Sequence, residues 1–142
     1  MFYKCHHFGI FELVDQPTFV KFGEAAWQFF HPDILISLDK MRDYFNKPIT
    51  VNNWHEKGLF SERGLRILNP KDTNIYSPYS AHSLGAAMDF DVEGMSAVEV
   101  RGIIIDHKDD EIFSLINRIE DKVDWVHADV FNVPSRIEVF QS

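Results

Sequence analysis

Apolar residues recur at steps of four, three and four at Ile34, Leu38, Met41 and Phe45, the spacing of one face of an α-helix. Pro32 and Asp33 suit its first turn and Pro48 stops it, so the pattern predicts a helix over about 33–46. Ile49 and Val51 then alternate with Thr50 and Asn52 in a short half-buried strand. From Leu68 to Ser83 the chain is rich in Asn, Pro, Asp, Thr and Ser and carries neither period, the mark of a long loop. Ala86 to Val92 reads as a strand with Met88, Phe90 and Val92 on one side and Asp89 and Asp91 on the other. Ser96 and Glu99 have capping-box spacing ahead of Val100, Ile103 and Ile104, which announces a second helix. A third apolar series, Ile112, Leu115, Ile116 and Ile119, follows the acidic cluster Asp109 to Glu111 and predicts another. Trp125–Val130 and Arg136–Phe140 read as closing strands. This mixture, with too few helices for parallel crossovers, predicts an α+β fold with a small antiparallel sheet and packed helices.

At 142 residues the chain has the size of a single domain, 1–142. A chain of this length buries roughly 68–70% of its unfolded surface, so a monomer is expected to stand alone. The 14 Lys and Arg against 22 Asp and Glu leave a net charge of −8, which repels nucleic acid and anionic membrane surfaces. No apolar run approaches the ~18 residues of a membrane span. Met1 to Ile10 lacks the apolar stretch of a secretory signal, so synthesis in a cytoplasm is expected. Cys5 is the only cysteine, so disulfides within the chain and Cys-based zinc knuckles are excluded and any metal must sit on histidine and carboxylate.

Seven histidines are present. His6, His7, His31 and His55 stand at no familiar ligand spacing from a partner. His82 leaves the polar loop just before Asp89 appears on the polar side of a strand. Seven extended residues would hold their side chains roughly 23 Å apart and two helical turns roughly 10 Å. Shared coordination therefore requires the chain to fold back, and Gly85 is placed to allow it. A catalytic zinc site takes three protein ligands and keeps one open position. His127, in Asp124-Trp125-Val126-His127, is the best third candidate. The plainer alternative makes these a loop histidine, a solvated aspartate and a half-buried strand histidine.

The pattern Ser-x-His-x-x-Gly-x-Ala-x-Asp, met at Ser80, His82, Gly85, Ala87 and Asp89, is followed by acid-Trp-x-His at Asp124, Trp125 and His127. Together they resemble the zinc D-Ala-D-Ala carboxypeptidase and L-Ala-D-Glu endopeptidase family, over about Leu38 to Val130. The resemblance implies the hedgehog/DD-peptidase-like fold, a Zn2+ cofactor held by His82, Asp89 and His127, and a peptidoglycan stem peptide as substrate. It puts the catalytic base at Asp124, where many members have Glu. It puts an arginine that polarises the carbonyl or holds a carboxylate at Arg66, although the family's Ser-Gly is Arg63-Gly64 here. Ser80 is then expected to bind substrate or support the site, and Trp125 to wall the cleft. A wall hydrolase without an export signal or wall-binding module looks like a phage endolysin or a domain carried in a virion.

Two other functions are carried alongside. One is a binding module that keeps the same zinc for stability or partner recognition without turnover, as the resemblance to hedgehog domains permits. The other is a non-haem iron oxygenase built on His107, Asp109 and His127, although residues two apart on a helix do not share a face.

Overall fold

The computed structural model describes residues 2–67 and 79–142, so most of the loop read over Leu68–Ser83 lies outside the described residues. The fold is α+β. Three helices, α1 (Gln16–Phe22), α2 (Pro32–Phe45) and α3 (Ala97–Asp106), accompany five strands: β1 (Ile49–Thr50), β2 (Ala87–Val92), β3 (Arg118–Glu120), β4 (Val126–Asp129) and β5 (Glu138–Phe140). The strands lie in the order β1-β2-β4-β3-β5. No helix among the described residues is long and apolar enough to cross a membrane.

Helix α2 forms where its caps place it. The His31 ring accepts from the Asp33 amide, Pro32 occupies the first turn, and Asn46 ends the helix in the left-handed region at φ 51°. It buries Ile34, Leu35, Leu38 and Met41 completely or nearly so. Helix α3 starts on the expected capping box, with Ser96 accepting from the Glu99 amide and Glu99 returning to the Ser96 amide. Both helices pack against β2. Met88, Phe90 and Val92 of β2, Val126 and Ala128 of β4 and Ile119 of β3 are all buried. Strand alternation turns the other set, Asp89, His127, Asp129 and Glu120, to the opposite face.

Two expectations change. The series Ile112–Ile119 is not a helix: residues 107–116 fold into successive turns with i to i−3 bonds (Asp110 to His107, Phe113 to Asp110, Ile116 to Phe113), and Ile119 belongs to β3. The Arg136 guanidinium donates to the carbonyls of Lys108, Phe113 and Ile116, which holds this turn series from outside. The sheet is also mixed rather than antiparallel, because β5 runs parallel to β3. Both edges of β4 are taken by β2 and β3, so the chain leaving β4 reverses and joins the outer edge of β3. The sequence reading also passed over α1, which is capped by Asp15, whose side chain accepts from the Thr18 amide.

Candidate metal centre

Asp89 of β2 and Glu120 of β3 are the direct cross-strand partners of His127 on β4. One row across the polar face of the sheet therefore reads Asp89, His127, Glu120, and Phe140 of β5 extends it beside Glu120. Such pairs stand about 4.5–5.5 Å apart at Cβ, close enough for the side chains to share one ion or proton.

His82 reaches this row from a tight turn. Leu84 N donates to Ser80 O, Gly85 N to His82 O and Ala86 N to Ala81 O, so residues 80–86 double back before β2 begins. Gly85 sits at φ +68°, and a Cβ there would collide with the Phe29 carbonyl and Phe30 Cα. Ser80 Oγ accepts from the Ser83 amide at 3.1 Å and stiffens the turn.

The two imidazoles are oriented alike. His82 Nδ1 donates to the Gly64 carbonyl (2.9 Å), which leaves Nε2 3.3 Å from Asp89 Oδ2. His127 Nε2 donates to Asp129 Oδ2 (2.8 Å), which leaves Nδ1 2.9 Å from Asp89 Oδ1. Each ring thus has its outer nitrogen held by an oxygen and its inner nitrogen turned to one carboxylate, the arrangement by which outer partners fix metal-ligating histidines. One ligand atom from each of His82, Asp89 and His127 lies within 4.8 Å of the others, and all three residues are buried. Tetrahedral ligands at 2.0–2.1 Å from an ion are about 3.4 Å apart, and the Asp89 oxygens stand 3.3 Å from His82 Nε2 and 2.9 Å from His127 Nδ1. The group could hold a metal ion.

Electrostatics bind the set together. Burial alone would raise the Asp89 pKa, but hydrogen bonds with His127 and His82 outweigh it and hold the carboxyl well below the usual range. Burial alone would lower the His127 pKa, yet hydrogen bonds to Asp129 and Asp89 push it up to about 9. Asp129 is fully buried and is gripped by the Arg118 fork, Nε at 2.9 Å and Nη2 at 2.8 Å. Arg118 itself lies against the rings of Phe140 (4.3 Å) and Phe131 (5.1 Å).

A cleft of about 480 Å³ opens over the row, lined among others by Arg66, Ser80, His82, Glu120, Trp125 and His127. Arg66 Nη2 is 3.4 Å from Asp89 Oδ2. The structure thus brings His82, Asp89, His127, Arg66, Ser80 and Trp125 to one place. It does not bring Asp124 there. Asp124 is exposed in the turn before β4 and lines a separate depression with Arg101, Asp121, Ile119 and Val139. Ile119 and Val139 alternate with the metal-side residues, so that depression opens on the α3 side of the sheet. His107 and Asp109 do not join His127 either, for His107 is exposed and paired with Asp110 at 3.2 Å while Asp109 faces Arg136 at 3.6 Å.

Sequence reasoning missed Glu120 and Asp129. Arg118-Ile119-Glu120 has the alternation of a strand, but the helical reading of Ile112–Ile119 hides it. Asp129 stands two residues after His127 in a segment read as a strand, which already places both on one face. Comparison of the chain with protein-family models, with curated proteins and with solved structures gave no match.

Proposed function

We propose that the protein is a zinc metallopeptidase of the D-Ala-D-Ala carboxypeptidase and L-Ala-D-Glu endopeptidase kind, with the hedgehog/DD-peptidase-like fold, which hydrolyses an amide bond in peptidoglycan stem peptides. The observation that carries the reading is the convergence of the inner nitrogens of His82 and His127 on Asp89, with both outer nitrogens already held. Two imidazoles and one carboxylate suit zinc, and three protein ligands are the complement of a catalytic rather than a closed structural site.

Zinc bound there supplies a Lewis acid that polarises a carbonyl and acidifies water. The residues do the rest. Asp89 and the two imidazoles fix the floor of the cleft. The Arg66 guanidinium at the cleft wall offers permanent positive charge to the oxygen that becomes negative as the carbonyl is attacked. Trp125 and Tyr79, 37% and 81% exposed, give the peptide apolar walls, and Ser80 supports the turn that carries His82.

The test is to incubate zinc-loaded protein with purified peptidoglycan of several wall types and assay newly freed amino groups. Release that stops on chelation and returns with zinc supports the peptidase. A zinc-loaded protein that frees none from any wall is a binding module, and the proposal fails.

A further inference from the structure

We propose that Glu120 is the catalytic residue that takes and returns the proton during hydrolysis; this rests on the peptidase reading above. Glu120 lines the metal cleft and sits in its central row, directly across from His127. Its side chain is held close to the ligand set without belonging to it: Oε1 is 4.0 Å from His127 Nδ1, and the three-residue ligand group does not include it. That distance is too long for a direct hydrogen bond and keeps Oε1 beside the ligand atom without bonding to it. The Ser142 hydroxyl donates to Oε2, which leaves Oε1 on the His127 side. The residue is only 8% exposed, and what it lines is the cleft.

Asp124 has none of these properties. It is exposed, and it lines the depression on the far face of the sheet with Arg101 and Asp121. Its backbone surroundings are also fixed, since Arg101 Nη1 donates to the carbonyls of Val123 (2.9 Å) and Trp125 (3.0 Å) on either side of it.

The step balances without any redox partner. The oxygen of a water forms a bond to the amide carbon while Glu120 takes one of its protons. The C–N bond then breaks, the proton passes from Glu120 to the departing nitrogen, and a carboxylic acid and an amine result with Glu120 restored; the acid then gives its remaining proton to the amine or to solvent.

The experiment compares wild type, Glu120→Gln, Glu120→Asp and Asp124→Asn for bound zinc per chain and for amino groups released from a defined stem peptide. Glu120→Gln should keep about one zinc per chain and lose on the order of 10²–10⁴-fold in hydrolysis. Glu120→Asp should fall between it and wild type, and Asp124→Asn should lose less than about tenfold, below what a positioned proton carrier supplies. Full hydrolysis in Glu120→Gln, or the larger loss in Asp124→Asn, would overturn the assignment and leave the peptidase reading standing. Zinc lost from both Glu120 variants would make the residue a ligand and overturn it as well. A zinc-loaded wild type that cuts no peptide would overturn the peptidase reading itself, and this assignment with it.

Discussion

Asp89 and His127 face each other across β2 and β4, with Asp89 Oδ1 2.9 Å from His127 Nδ1 and the other carboxylate oxygen 3.3 Å from His82 Nε2. The carboxylate is the meeting point of two rings that arrive from a strand and from a turn, and no other ligand-type group among the described residues forms such a cluster.

His82→Ala should therefore fail to retain zinc through gel filtration, whereas wild type should keep about one ion per chain. Zinc at 100 times its Kd adds about 2.7 kcal/mol to the stability of a protein that binds it only when folded. That zinc-dependent rise in Tm should vanish in the variant. His6→Ala and His55→Ala should leave metal content unaltered, since His55 packs on Phe11 at 4.6 Å and His6 meets Tyr3 edge-on. Metal analysis of the three variants checks this.

Asp129→Asn should weaken zinc binding by about 10–100-fold, the usual effect of losing the partner that orients a ligating histidine. Arg118→Lys should shift affinity in the same direction by less, because an ammonium keeps the charge but cannot fork to both oxygens of Asp129. Competition with a chromophoric chelator measures both. Unaltered affinity in Asp129→Asn would show that the His127 ring is fixed by other contacts.

Gly85→Ala and Gly94→Ala form a matched pair. Both glycines have positive φ, +68° and +75°, but a Cβ on Gly94 meets nothing within 4 Å while one on Gly85 strikes the Phe29 carbonyl. Gly94→Ala should cost about 1–3 kcal/mol of conformational strain. Gly85→Ala should cost more and weaken zinc binding, since the turn it distorts carries His82. Denaturant unfolding of the two, with zinc titration, checks the order.

Much of this architecture was legible in the chain. Helix α2 announces itself because Pro32, Asp33 and Pro48 bracket a regular apolar stripe, and β2 because Met88, Phe90 and Val92 alternate with two aspartates. The fold-back at Gly85 followed from the ligand geometry alone. What stayed hidden depends on distant partners. Turns rather than a helix over 107–116 involve the Arg136 guanidinium, twenty or more residues away from Phe113 and Ile116. That error removed Glu120 from view, since a residue at the end of a supposed helix has no cross-strand partner. The parallel β5 is equally non-local, set by the outer edge that β3 leaves open once β4 is flanked by β2 and β3. Helix α1 has only seven residues, too few for a helical period to repeat.

The most direct measurement of the central claim is mass spectrometry of a defined stem peptide after incubation with the zinc-loaded protein, with the chelated protein and with Glu120→Gln. The account predicts two fragments whose masses sum to the peptide plus one water, formed only by the zinc-loaded wild type at full rate and suppressed in the other two. An intact peptide after prolonged incubation with protein carrying one zinc per chain, or fragments formed equally well after chelation, would contradict it.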